Sequence, residues 1–341
     1  MKRSYILGIA AAALALMAYG CEKTTKVGLN DANKKYFDAW RMINYPEAKR
    51  VDPGIYVISE SAGTGASAGD PEVNQYIRLN LTKTDLKGNI SESTYEKVNQ
   101  QLGEYTRGDY YGPVIWYRGN NSLTAGLEAA VSDMKVGGIK QVIIPGWLGA
   151  YDRYDSEEEY LEKSSGTAAI YTLELKDVIT DVVKWELDSL ERFAKAKLNG
   201  VDSTKYGFYY MRTREPDDPN SSFTSSEKVY INYTGRLLNG QVFDTTVKDT
   251  AKVWGLYSSS SSYSPTYVTW KDDYKDFILG TGTSANMIDG FAYCVSLMKK
   301  GEKGICAFYS NLGYGVTGSS TRIPGYCPIA FEIEVLGTNL K

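Results

Sequence analysis

Apolar side chains recur along this chain in two rhythms, one of about 3.6 residues and one of two. Tyr36, Phe37, Trp40, Met42 and Ile43 fall at helical spacing and predict a helix over about 31–44. Val182, Val183, Leu187, Leu190, Phe193 and Leu198 predict a longer one over about 180–199. Two short amphipathic helices follow from Leu127, Val131 and Met134 and from Ile288, Phe291, Val295 and Met298, whose spacing makes them core residues. The period of two marks strands: Tyr171, Leu173 and Leu175, and again Phe331, Ile333 and Val335, alternate with polar or small residues.

These elements come twice, in one order. GIYVIS (54–59) is answered by GFYYMR (207–212), and YIRLNLTKTDLKGNISEST (76–94) by YINYTGRLLNGQVFDTT (230–246), each a strand, a turn at Gly88 or Gly240 and a second strand. AGLEAAVSDMKVGGIKQVII (125–144) matches DGFAYCVSLMKKGEKGICAF (289–308), and AAIYTLEL (168–175) matches PIAFEIEV (328–335). The pattern predicts a tandem duplication of one α+β unit, each an antiparallel sheet wrapped around one short helix. The expected divisions are 46–179 for the first unit, 180–204 for the joining helix and 205–341 for the second. PDDPNSS (216–222) reads as a polar loop inside the second unit. That unit also carries an apparent insertion at 250–274, where five serines (258–262) lie beside Tyr257, Tyr263 and Tyr267. It reads as a surface loop or flap, with ligand contact by its aromatics as the alternative. The acidic run DSEEEYLEK (155–163) reads as a solvated loop or brief helix.

The first residues read as an address. Lys2 and Arg3 precede an apolar run from Tyr5 to Tyr19, too short for a spanning helix, which ends at Ala18-Tyr19-Gly20-Cys21. This resembles a bacterial lipoprotein signal, and the resemblance implies removal of 1–20, lipidation of Cys21, and a tether with an N-terminal helix over 21–45. The body would be lipid-anchored to a bacterial membrane, and the unremarkable tether at 22–30 leaves periplasm and cell surface both open. Three further cysteines remain, Cys294, Cys306 and Cys327, so at most one internal disulfide can form; Cys294 and Cys306 sit in apolar patterns and read as buried thiols.

Composition narrows the chemistry. With His 0 there is no imidazole base, no Ser-His or Cys-His pair and no His-ligated metal within the chain, and neither a metal nor a cofactor is expected. A formal charge of -3 gives no basic footprint for nucleic acid. Tyr is in excess, 28 against 9 Phe and 6 Trp, which suits half-buried strands and amphipathic pockets. GTG (280–282) lacks the strand and glycine pattern of a dinucleotide site.

Four motifs then converge. VYINYTGRLLNGQVFDTT (229–246), FILGTGTSANMIDGFAYCVSLMKKGEK (277–303), LGYGVTG (312–318) and RIPGYCPIAFEIEVL (322–336) resemble the FKBP-type peptidyl-prolyl cis-trans isomerases across almost all of 205–337. The resemblance implies a sheet curled around the helix with an aromatic pocket for proline, and hence isomerase activity on proline-containing polypeptides. The residues it implies as catalytic are Tyr233, Phe243, Asp244, Tyr314 and Phe331. Those it implies for substrate binding are Met287, Ile288, Phe291, Ile323 and, at a wall position blurred by the insertion, Tyr274. In the family the floor is commonly Trp where this chain has Phe291. Such a site suits a protein without histidine. Rotation about an X-Pro bond must overcome about 18–20 kcal/mol of amide resonance, and no nucleophile is needed.

The first unit departs from the motif where chemistry would sit. Leu81, Ser91 and Glu92 occupy the positions of Tyr233, Phe243 and Asp244, and Leu123, Thr124 and Leu127 those of Met287, Ile288 and Phe291. Tyr151 has no secure counterpart. The expectation is a degenerate FKBP-like domain without activity, serving as spacer, dimerisation surface or client-binding module. Activity would lie in 205–341 and assist folding of exported proteins; the alternative is a non-catalytic chaperone or peptide-binding surface lipoprotein. Oligomeric state stays open, since the helix at 31–44 can pair two chains or pack on its own domain.

Overall fold

The computed structural model describes residues 30–340; the apolar N-terminal run and Cys21 lie outside them. Helix α1 (Asp31–Asn44) leads into β1 (Lys49–Val51), β2 (Ile55–Ser61), β3 (Tyr76–Thr84), β4 (Ile90–Ser93), α2 (Glu96–Leu102), β5 (Val114–Tyr117), α3 (Ala125–Val131), β6 (Ile139–Ile144), α4 (Glu157–Lys163) and β7 (Ala169–Ile179). Helix α5 (Val182–Lys197) crosses to β8 (Ser203–Lys205), β9 (Phe208–Arg214), β10 (Lys228–Leu237) and β11 (Val242–Thr245). Then come α6 (Lys248–Val253), β12 (Thr266–Thr269), β13 (Ile278–Leu279), α7 (Asp289–Leu297), β14 (Lys303–Phe308) and β15 (Ile329–Gly337).

The architecture is α+β, with two antiparallel sheets that share one topology. The first runs β1-β2-β6-β7-β3-β4 with β5 also on β3; the second, read from β8, runs β8-β9-β14-β15-β10-β12-β13 with β11 also on β10. Each strand of the first sheet thus has a counterpart, and β13 is the addition. Two such sheets fit tandem FKBP-like domains. The hairpins agree down to single hydrogen bonds. The Leu81 N–H donates to Thr94 Oγ1 at 2.9 Å and the Tyr233 N–H to Thr246 Oγ1 at 2.9 Å, while Thr94 and Thr246 donate to Asn80 and Asn232, both at 3.2 Å. This register puts Leu81 opposite Leu173 and Tyr233 opposite Ile333.

Two cores follow from the alternating strands. Ile329, Phe331, Ile333 and Val335 of β15 are buried while Glu332 between them is exposed, and α7 closes the second core with Phe291, Cys294 and Val295. Leu173 and Leu175 do the same for the first core, with Tyr171 half-buried. Helix α1 packs on its own domain through Phe37, whose ring meets Trp147 edge-on at 5.3 Å and Tyr56 at 5.8 Å. The acidic run folds as α4, capped by the Ser156 hydroxyl and pinned by buried Tyr160. Cys294 and Cys306 are free, buried thiols and Cys327 is a free, half-buried one.

The stretch 250–274 is not an insertion peculiar to the second half. Its residues 266–269 form β12, paired with β10, as β5 pairs with β3, and α6 precedes it as α2 precedes β5. The β-forming sequences TYVT and VIWY take the same edge position although little else in the two segments matches. The tips, 103–113 and 254–265, are loops, and so is the short link 270–273 after β12.

Candidate functional site

The second hairpin aims its residues at α7 and at the loop 309–328 that joins β14 to β15. Pairing of Gly235 with both Asp244 and Phe331 sets β11 and β15 on either side of β10, so Phe243 and Phe331 converge above a residue that has no side chain. The rings meet edge to face: Phe243 with Phe331 at 5.5 Å and 87°, Phe291 with Phe331 at 4.7 Å and 60°, and Tyr233 with Phe291 at 5.3 Å and 72°. Tyr314 enters from the loop and stands at 90° to Phe243, 6.4 Å away. Phe243, Phe291, Phe331 and Ile323 are buried, and Met287 and Ile288 are half-buried where the chain enters α7. These five rings form one apolar aromatic cluster.

Its polar groups are few and specifically held. The Tyr233 hydroxyl donates to Asp244 Oδ2 at 2.7 Å, and the Thr245 N–H donates to Asp244 Oδ1 at 2.9 Å, fixing the carboxylate at the rim. Burial first, and the Asp244 charge second, push the Tyr233 and Tyr314 hydroxyls above the ordinary phenol range, so both stay protonated donors. Among the described residues the Tyr314 hydroxyl has no hydrogen-bond partner, which leaves its proton for a ligand carbonyl.

The structure therefore brings together Tyr233, Phe243, Asp244, Phe291, Tyr314 and Phe331, with Met287, Ile288 and Ile323 adjoining the same core. Tyr274 adjoins the same core at its edge, with its ring contact to Tyr293 rather than to those rings. The 3-10 turn at Tyr274–Asp276 turns that ring toward Tyr293, 5.3 Å away, and its hydroxyl accepts from Lys205 at 3.1 Å. The aromatic of that stretch that enters the core is Phe277, packed on Trp270 at 4.5 Å. Arg322 was not anticipated from sequence; it donates to the Phe243 carbonyl at 3.3 Å and ties the loop to β11.

The first half keeps the scaffold without the rings. Leu81 and Leu123 are buried in the first core, Thr124 is the residue before α3, Leu127 is half-buried, and Ser91 and Glu92 are exposed. Tyr151 is 61% exposed and belongs to no cluster of this kind.

An antiparallel sheet packed on one helix, with an aromatic cluster and a Tyr–Asp pair at its edge, is the arrangement that the resemblance to proline isomerases implies. The family model for FKBP-type peptidyl-prolyl cis-trans isomerases matches residues 220–336. The chain is 30% identical to FK506-binding protein 2 of Dictyostelium discoideum over 124 residues, 36% of this chain and 74% of that protein. It is 30% identical to FK506-binding protein 1A of Aspergillus fumigatus over 132 residues, 38% of this chain and 96% of that protein. With a probable FKBP-type isomerase of Haemophilus influenzae it shares 30% identity over 149 residues, 44% of this chain and 49% of that protein. The chain belongs to the FKBP-type peptidyl-prolyl cis-trans isomerases.

Proposed function

We propose that catalysis is confined to the second domain, residues 205–341, and that it serves the folding of exported proteins from a lipid-anchored position. Tyr233, Phe243, Asp244, Tyr314 and Phe331 carry the reaction, and Met287, Ile288, Phe291 and Ile323 bind the substrate. The observation behind this reading is the contrast between the halves. The ring cluster with its Tyr233–Asp244 hydrogen bond exists in the second, while its counterparts in the first are Leu81, Ser91, Glu92 and Leu127.

The mechanism works by desolvation and orientation. A planar X-Pro amide is charge-separated by resonance, and an apolar, ring-walled recess favours the twisted form in which that separation is smaller. The Tyr314 hydroxyl donates to a carbonyl of the bound chain and holds it while the prolyl ring rotates. Asp244, fixed by Tyr233 and the Thr245 N–H, presents negative charge at the rim, beside the bound amide. No proton changes hands, which suits a chain without histidine.

The N-terminal division supports the localisation. Residues 1–20 act as a lipoprotein signal, Cys21 carries the lipid, and 21–45 form the tether and first helix on a degenerate FKBP-like domain at 46–179. The anchor holds the body at a bacterial membrane, facing periplasm or cell surface. The test is cis/trans exchange on a short X-Pro peptide with the full chain, alongside Asp244→Ala and Phe243→Leu. An uncatalysed rate for the parent chain overturns the enzymatic reading and favours a peptide-holding chaperone. Mass measurement of the membrane-extracted parent, beside fractionation and mass measurement of Cys21→Ser, tests the anchor, since the variant should lose both the lipid mass and the membrane association.

A further inference from the structure

The loop 309–328 carries Tyr314 and Ile323, and it is held from outside the stretch that the family model matches. Its first residue pair is fixed by α5: the Ser310 N–H donates to Glu186 Oε2 at 2.6 Å and the Ser310 hydroxyl to Glu186 Oε1 at 2.7 Å. Both residues are buried, Glu186 to 2% exposure. Ser310 in turn accepts the Gly313 and Gly315 N–H groups through its carbonyl, each at 2.8 Å, so the turn that presents Tyr314 is built on the residue Glu186 grips. The far side of the loop is fixed by the first domain. The Tyr110 N–H donates to the Thr321 carbonyl at 2.8 Å, the Thr321 hydroxyl to Asp109 Oδ1 at 2.6 Å, and Gln241 Nε2 to the Asp109 carbonyl at 2.7 Å. Close to the end of the loop, the Tyr326 ring stands edge-on to Tyr76 of β3 at 5.4 Å, while the Tyr326 N–H returns to the Gly315 carbonyl at 3.0 Å.

We infer that the joining helix and the first domain are positioning elements of the isomerase site, with Glu186 as the positioning residue that sets the Tyr314 turn and Asp109 and Tyr110 as the clamp on the Ile323 side. This rests on the proposed function for its kinetic consequence, though its structural half does not. A first domain that merely spaced the second from a membrane would need no such bonds to the substrate loop. Tyr314 acts through one oxygen, and a shift of 1 Å in a catalytic group costs up to about 100-fold in rate. A loop of some twenty residues, with glycines at 313, 315, 318 and 325, does not supply that precision alone. A cleft of about 310 Å³ lined by Arg78, Trp185 and Tyr326 lies between the halves, and these hydrogen bonds cross from one to the other beside it.

The test uses the full chain with Glu186→Ala, Glu186→Gln, Asp109→Ala and the double variant Glu186→Ala/Tyr314→Phe. Glu186→Ala should lower kcat/KM for a short X-Pro peptide by about tenfold at a temperature where circular dichroism shows it folded. Glu186→Gln should recover to within about twofold, because its carbonyl accepts from the Ser310 N–H and its amide donates to the Ser310 hydroxyl. The double variant should lose no more than Tyr314→Phe alone, since the two act through one group. Additive losses, or an alanine variant with a lowered Tm and an unchanged kcat/KM, would overturn the inference and leave Glu186 a structural residue. Amide hydrogen exchange gives a readout independent of turnover. Glu186→Ala and Asp109→Ala should each accelerate exchange at 313–326 while the β10 and β15 amides stay protected, and unchanged exchange there overturns the clamp. An inactive parent chain with the expected exchange pattern would count against the proposed function and for the clamp.

Discussion

Gly235→Ala probes the site at its narrowest point. The glycine has no need of an unusual backbone conformation; it is required because a Cβ placed there would lie 2.5 and 2.6 Å from two atoms of the Phe243 ring and 2.8 Å from the Phe331 ring. Carbon atoms pack at about 3.5–4.0 Å, so the Phe243 ring must retreat by roughly 1 Å. It has no free direction, being held edge-on by Tyr314 at 6.4 Å and Phe331 at 5.5 Å. Overpacking of this kind costs about 1–3 kcal/mol, and the better strand propensity of alanine returns about 0.5–1 kcal/mol. The net loss is about 1–2 kcal/mol, or roughly 4–8 °C in the unfolding transition of a domain of this size. The rate should fall further than the stability, by about 10- to 100-fold, because the displaced ring is a wall of the recess. Thermal unfolding followed by tryptophan fluorescence gives the first number and proline exchange at low temperature the second. A variant with parental Tm and parental rate would show that the two rings do not close over Gly235, and the ring-walled recess would have to be abandoned.

Other consequences are open to measurement. Tyr233→Phe keeps the ring and removes the 2.7 Å hydrogen bond to Asp244; because the carboxylate stays solvated, the loss should be no more than about 1 kcal/mol, seen as up to about fivefold slower exchange and a Tm lowered by a few degrees at most. Burial raises the Glu186 carboxyl above its ordinary range against the two Ser310 donors, with Tyr326 and Cys327 the nearby groups that feel its charge. A raised folded value means that the parent gains stability relative to Glu186→Gln below the unfolded carboxylate value of about 4.3 and loses it as pH climbs through the raised one, so the Tm difference between the two should shrink or reverse between acid and neutral pH; a pH-independent difference contradicts this. Cys294 and Cys306 are fully buried and should react with a thiol reagent only as fast as the domain unfolds. Burial pushes the Cys327 thiol up to about 12, so at pH 8 its labelling should run about a thousandfold slower than that of a free thiol.

Much of this could be read from the chain because most of it is periodic. Leu173 and Leu175, or Ile333 and Val335, report their burial through alternation alone, and the duplication showed because both halves must bury the same faces. The ring cluster was legible for a different reason: Tyr233, Phe243, Asp244, Tyr314 and Phe331 are short-range neighbours of turns and strand ends whose order is distinctive. Tyr274 is placed least firmly by sequence, where local spacing is lost, and the structure sets it at the edge of the same core. The shared edge strand was missed because β5 and β12 are four residues each, and the tips before them, 103–113 and 254–265, differ in nearly every residue.

The support of the site left one signal that periodicity can detect only as an exception. Along α5 the apolar pattern predicts a stripe through Val182, Val183, Leu187, Leu190, Phe193 and Leu198; Val182, Leu190 and Leu198 are buried as it requires, but the buried face of the helix also takes in Glu186 and Ala194. It packs on a smooth patch of the second sheet where Ala307 and Ala330 pair in register, so small side chains let the helix come close. A carboxylate in the middle of such a stripe breaks the rule that buried positions are apolar, and burying it costs free energy unless donors meet it. Ser310, 124 residues away in sequence, supplies two. Leucine there would bury more apolar surface but leave the Ser310 N–H and hydroxyl, both buried, without acceptors. The carboxylate is therefore matched to a loop residue rather than to the helix's own packing, and that loop is the one bearing Tyr314.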